Sequence, residues 1–144
     1  KIPIVEQKRL AAAAAVEFIE PRMFVGLGTG STAELAIRLL AEKVRRGLKI
    51  SAVPTSISTE LLVRRLRIPL VKDIDAFTKI DLTIDGADEV DPQFNLIKGG
   101  GGALTREKIV ASRSNRQIII INEKKLVEKL GKFSVPVEVL PFGW

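Results

Sequence analysis

The sequence contains no cysteine and no histidine. Disulfides, thiolate nucleophiles, imidazole bases and most zinc sites are thereby excluded together. Acid–base chemistry in this chain falls to carboxylates and lysines. The lack of cysteine fits a reducing compartment, and a cytoplasmic location is expected. No apolar run approaches the roughly 18 residues of a membrane span, so no membrane partner is expected. The longest small-residue run, Ala11–Val16, is short and followed by Glu17, which speaks against a signal peptide. No low-complexity linker divides the chain, and nothing repeats at a fixed period. Lys1 is not a natural start, so both ends are expected to be cut.

What is present suits one soluble globular domain of 144 residues, 46% hydrophobic and 28% charged. Aromatics make up only 5%, leaving the interior to Leu, Ile, Val and Ala. The net charge of +6 points toward anionic partners, nucleic acid or phosphorylated metabolites. The basic residues are scattered, however, over Lys43/Arg45/Arg46, Arg64/Arg65/Arg67 and Lys124/Lys125/Lys129. Solvated helix faces explain that spread better than a nucleic-acid patch does.

Along the chain, helix and strand patterns alternate. Val5–Ile19 reads as an alanine-rich helix closed by Pro21. Met23–Leu27 is a strand candidate, followed by Gly28–Thr32 and a helix periodic at Leu35, Ala36, Leu39, Leu40 and Val44. Ser31 and Glu34 have capping-box spacing, and Gly47 is placed to end that helix. Ile50–Val53 predicts a strand, Pro54–Ser56 a turn and Ser58–Leu66 a helix. Pro69–Val71, Asp81–Ile84 and Gln117–Ile121 predict further strands. A helix is expected over Glu123–Leu130, ending at Gly131, and a last strand over Val135–Leu140, with Pro136 suggesting an edge. Continuous apolar strands between helices imply an α/β fold, an open doubly wound, mostly parallel sheet. Residues 1–131 are expected to form this domain, with a composition shift from Gly131 onward marking a separate portion over 132–144.

Ligands in such sheets bind beyond the carboxyl ends of the strands. Polar clusters fall there at Gly28–Thr32, Thr55–Ser58, Asp85–Asp91 and Asn122–Lys125. Gly28–Thr32 is either a phosphate cradle, with the next helix supplying N–H groups, or an ordinary tight turn. It is neither a Walker loop nor a full dinucleotide fingerprint. The acids Asp85, Asp88, Glu89 and Asp91 suggest a divalent metal or catalytic carboxylates. With Lys98 near in sequence and no histidine, catalytic Asp85 and Asp88 fit better, and Asp91-Pro92 reads as a turn. Lys98 introduces Gly99–Gly102, four glycines whose entropic cost asks for a close backbone approach. Glu107 follows in the first turns of a helix that Thr105 is placed to cap. It is either functional or a surface glutamate favoured by the helix dipole.

Gly28-Thr29-Gly30-Ser31-Thr32, Asp85-Gly86-Ala87-Asp88-Glu89 and the stretch from Lys98 through Gly99–Gly102 to Glu107-Lys108 together resemble type A ribose-5-phosphate isomerase. So do Gly131-Lys132-Phe133 and Pro136–Pro141, and the likeness runs from about Lys8 to Phe142. The resemblance implies a Rossmann-like fold and reversible interconversion of D-ribose 5-phosphate and D-ribulose 5-phosphate, without metal or organic cofactor. It implies Glu107 as general base. Its substrate-binding segments match Thr29, Gly30, Ser31, Thr32, Asp85, Gly86, Ala87, Asp88, Lys98, Gly99, Gly100, Gly101 and Lys125, with Lys8 near the phosphate. Lys98 would stabilise oxyanion charge, and Asp85, with Asp88, would assist ring opening. The resemblance further implies a homodimer or homotetramer, and a small α+β domain extending beyond Trp144. Two other readings share the fold: a non-catalytic sugar-phosphate sensor, and an acyl-CoA transferase working through a glutamate nucleophile.

Overall fold

The apolar runs become short strands of one sheet, because each is too short for a helix and is bounded by turn residues. The computed structural model describes residues 2–72 and 79–143. Its elements run α1 (Ile4–Val16), β1 (Phe24–Leu27), α2 (Ser31–Arg45), β2 (Ser51–Pro54), α3 (Ile57–Arg65), β3 (Ile80–Asp85), β4 (Glu89–Val90), β5 (Leu96–Ile97), α4 (Leu104–Ser112), β6 (Ser114–Ile119) and a 3₁₀ turn (Glu123–Lys125). The main sheet has the order β2-β1-β3-β6, every pair parallel. Leu70 extends it past β2 through a single parallel bridge to Ala52, all that forms of the strand expected over Pro69–Val71. The doubly wound α/β expectation holds.

Chain direction across the sheet reverses between β1 and β3, which leaves a crevice beyond their carboxyl ends. The register aligns those ends: Leu27 sits beside Pro54 and Ile84, and Asp85 beside Ile119. Gly28, Thr55, Gly86 and Ile120 therefore leave the sheet side by side.

The sheet is held in place by apolar burial on both faces. Ala12, Ala15 and Val16 of α1 pack with Ala36, Ile37, Leu40 and Ala41 of α2 over Val25, Leu27, Leu82 and Ile84. Alanines on α1 let the two helices approach closely, and each fully buried Leu or Ile contributes about 1.5–3 kcal/mol. On the other face Val110 of α4 closes over Val53 and Ile80. Arg38 pairs with Glu34 and Arg64 with Glu60, each along the exposed surface of its own helix.

Two local expectations are corrected, and one element is new. Glu123–Leu130 makes only one 3₁₀ turn, because the following backbone pairs with β4: Val127 N–H donates to Val90 O at 3.0 Å. Val135–Leu140 forms no strand: Pro136 lacks a donor, and the segment's valines lie exposed. The β4–β5 hairpin was not expected. Asp91 makes its turn, accepting N–H bonds from Gln93 and Asn95, as its reading as a turn acid requires.

Candidate active site

Gly28 follows β1 directly, and a Cβ there would lie 2.0 Å from Asp85 Oδ1. The missing side chain lets the loop press against that carboxylate. Oδ1 of Asp85 accepts from Gly86 N–H at 2.7 Å and from Thr29 N–H at 3.3 Å. Gly28→Ala is accordingly expected to push loop and carboxylate apart, costing about 1–3 kcal/mol of stability, which thermal unfolding would register.

The loop is fastened from below by hydroxyls. Thr55 Oγ1 donates to Leu27 O, and Thr59 Oγ1 to Gly28 O. The Thr29 hydroxyl lies within 2.8 Å of both Thr55 Oγ1 and Ser56 Oγ, so it is occupied within this cluster. Helix α2 begins differently from the expected capping box. Gly30, at φ +116°, is the N-cap, and no side chain caps the helix. Ser31 is the first helical residue, and its hydroxyl accepts from Lys8 Nζ at 2.8 Å. The amide end of α2 is thus left without a side-chain cap, beside two polar groups.

The β4–β5 hairpin carries Asp88 at its start and Lys98 at its end, joined by Asp88 N–H donating to Ile97 O at 2.7 Å. Lys98 Nζ lies 3.1 Å from Asp85 Oδ2 and 3.4 Å from Glu107 Oε2, and donates to Gly86 O. Asp85 is 1% exposed and Glu107 5%. Oδ2 of Asp85 and Oε2 of Glu107 are buried without a hydrogen bond among the described residues, so this one ammonium serves both carboxylates. Burial, with Asp85 adding repulsion, raises the Glu107 pKa above the ordinary carboxylate value, while Lys98 pulls it back in part. Glu107 is no surface residue.

The glycine run has separate uses for its members. Gly99 and Gly102 adopt φ of +94° and +76°. Gly100 N–H donates to Asp88 Oδ2 at 2.8 Å, and a Cβ there would meet Asp88 Oδ1 and Phe133 Cζ at 2.7 Å. This turn delivers the chain into α4, whose N-cap is Ala103 rather than Thr105; the Thr105 amide binds Glu138 instead.

These segments enclose a cavity of about 310 Å³. Lys8, Thr29, Gly30, Ser31, Thr32, Gly86, Ala87, Asp88, Lys98, Gly99, Gly100, Gly101, Glu107 and Lys125 all line it. Of the expected site residues only Asp85 does not, since its carboxylate is sealed beneath Gly28 and Lys98. The wall also includes Ala33, Ile120, Ile121, Asn122 and Phe133, which were not singled out as site residues. Asn122 was legible only as a polar residue ending a strand, and Phe133 only within a longer motif. Carboxylate, ammonium and uncapped helix end together can bind an anionic polyol and move a proton within it.

Comparison with known proteins agrees with this architecture. The family profile for ribose 5-phosphate isomerase A (phosphoriboisomerase A) matches residues 51–144. Ribose-5-phosphate isomerase A of Nitrobacter hamburgensis is 57% identical over 136 residues, covering 94% of this chain and 58% of its own. The Listeria innocua protein of that name is 55% identical over 141 residues, covering 98% and 62%. The chain thus spans about three-fifths of these relatives' length. Among solved structures, ribose 5-phosphate isomerase A from Methanocaldococcus jannaschii superposes with a TM-score of 0.85 at 40% identity, over 90% of this chain and 58% of that one. A D-ribose-5-phosphate isomerase in complex with phospho-erythronic acid gives 0.85 at 47% identity, over 90% and 57%. By sequence along nearly its whole length and by the course of its backbone, this chain belongs to the ribose 5-phosphate isomerase A family.

Proposed function

We propose that the protein interconverts D-ribose 5-phosphate and D-ribulose 5-phosphate through an enediolate, with Glu107 as the general base. The observation carrying this reading is the buried Glu107 carboxylate 3.4 Å from the Lys98 ammonium, both on the cavity wall. An aldose–ketose exchange needs a base that takes the proton from C2 and returns it to C1. A carboxylate with a pKa raised by burial suits both halves, being a stronger base when ionised and a usable acid once protonated. Lys98 is placed to neutralise charge gathering on the adjoining oxygen as the carbon proton leaves. Written this way, the reaction calls for neither metal nor organic cofactor.

The phosphate is assigned to the corner formed by Lys8, Lys125 and the start of α2 at Gly30–Thr32, where free amides and the helix dipole favour an anion. A similar isomerase was solved in complex with phospho-erythronic acid, which supports a phosphorylated ligand for this fold. Asp88 faces the cavity and is the better group for proton exchange during ring opening. Asp85, out of the cavity and against Lys98, acts by orienting that ammonium.

The test is ketose formation from ribose 5-phosphate by the purified full-length protein in the presence of a metal chelator. Turnover is expected to persist in chelator. Binding of ribose 5-phosphate without any turnover would overturn the isomerase reading and leave a sugar-phosphate sensor.

A further inference from the structure

The hairpin that carries Asp88 and Lys98 also holds a buried carboxylate that the proposed chemistry does not use. Glu89 is 3% exposed, and its partners among the described residues are two backbone amides rather than a cation. Oε2 accepts from Gly131 N–H at 2.8 Å, and Oε1 from Phe133 N–H. A buried carboxylate is costly unless its oxygens are hydrogen-bonded, and an apolar residue here would leave the Gly131 and Phe133 amides without these acceptors. What the carboxylate adds is direction, because its two oxygens fix two amides of one segment at once.

That segment is tied to the hairpin a second time. Leu126 bridges Val90 in parallel, and Val127 N–H donates to Val90 O at 3.0 Å. Residues 126–133 thus form a strap attached at both ends to β4. Lys125 stands just before the first attachment and Phe133 at the second, and both line the cavity. The Phe133 ring rests on Gly100, where a Cβ would come within 2.7 Å of Phe133 Cζ. Lys125 Nζ lies 5.9 Å from the centroid of that ring, within cation–π range. Gly100 in turn donates to Asp88 at 2.8 Å. Ring, lysine, glycine turn and catalytic hairpin therefore share one frame, and Glu89 closes it.

We infer that Glu89 is a positioning residue: by clasping residues 131–133 to the hairpin it sets where Phe133 and Lys125 stand, and so how tightly the cavity holds a phosphosugar. This inference rests on the proposed substrate but concerns a residue outside the proton-transfer machinery. Loosening the strap weakens capture of the sugar phosphate and leaves Glu107 and Lys98 in place, so KM changes more than kcat does.

The experiment compares the full-length protein with Glu89→Gln, Phe133→Ala and the double variant. Glutamine keeps the volume but replaces one acceptor oxygen with a donor. Expected are a KM for ribose 5-phosphate raised about tenfold in Glu89→Gln, kcat within about threefold of wild type, and a double variant no worse than Phe133→Ala. Amide hydrogen exchange is expected to quicken at Gly131 and Phe133 while β1 and β3 stay protected. An unchanged KM, effects of the two substitutions that multiply, or exchange that quickens throughout the sheet would overturn the inference. Glu89→Asp, charged but too short to reach both amides, carries the same test where Glu89→Gln does not fold. Absence of isomerisation by the wild type would sink the functional reading alone. Calorimetric binding of ribose 5-phosphate would then decide the inference, about tenfold weaker binding supporting it and equal affinity ending it.

Discussion

Replacing Glu107 with glutamine is expected to lower kcat by about 10³-fold or more, with ribose 5-phosphate still bound. Glutamine preserves the shape of the side chain on α4 and its place in the cavity wall, and removes its charge together with its capacity to accept a proton. Turnover near the wild-type rate would take the base role from Glu107. The same residue sets an acid limb in the wild type. Its pKa is raised, chiefly by burial, so kcat/KM should begin to fall with acidification at a pH above that of an ordinary carboxylate. The limb should vanish from whatever residual activity the variant retains.

Stability should move the other way. Between the ordinary carboxylate pKa and the raised one, the folded chain keeps a proton on Glu107 that the unfolded chain has released. Stability from this group is therefore greatest at low pH and is lost as pH rises through the folded pKa. Once Glu107 is ionised the native fold holds a desolvated carboxylate, and Glu107→Gln relieves that cost. A higher melting temperature at pH 7 together with lost turnover is the expected pair of results. A lower one would mean that Lys98 compensates the buried charge fully.

The sequence shows the sheet clearly because its signals are local. The run Leu82–Ile84 and the helix at Leu35–Leu40 need no distant partner to be recognised, and the periodicity of each states which face is buried. Gly28–Thr32 and Gly99–Gly102 could be seen as glycine-rich, but the reason for Gly28 is the Asp85 carboxylate 56 residues beyond its neighbour Thr29. Such contacts have no local signature. The failures share a cause. Glu123–Leu130 has helical propensity, yet pairing with Val90 and the pull of Glu89 on Gly131 and Phe133 outweigh it. The β4–β5 hairpin has two residues per strand, too few to display alternation. Ser31 has the spacing of a cap, but Lys8 claims its hydroxyl. Thr29 does reach the cavity wall, but its hydroxyl is bonded within the Thr55, Ser56 and Thr59 cluster, a contact with no local signature. For Glu107 the sequence left two readings, a surface dipole residue or a functional acid, and burial at 5% exposure removes the first.

Lys98→Met should damage both catalysis and folding, and the coupling between the two losses distinguishes it from Glu107→Gln. Methionine fills the stem's volume but leaves Asp85 and Glu107 facing one another in the interior without a cation. Removing one partner of a buried pair typically costs about 3 kcal/mol, and loss of a transition-state donor lowers kcat by about 10²–10³-fold. Lys98 now lowers the Glu107 pKa against burial and Asp85, so its removal lets that pKa rise further. The acid limb of any remaining activity then shifts to higher pH, opposite to its disappearance in Glu107→Gln. The stability deficit should shrink as pH falls, because a protonated Glu107 no longer repels Asp85. Adding Glu107→Gln to Lys98→Met should restore part of the lost stability at pH 7 while restoring no activity. Denaturant titrations of the three variants at neutral and mildly acidic pH, beside kcat/KM profiles of the single ones, measure each of these effects. A deficit that is the same at both pH values and untouched by the second substitution would mean that Lys98 supports the fold by packing alone. Its ammonium would then owe nothing to the two carboxylates around it.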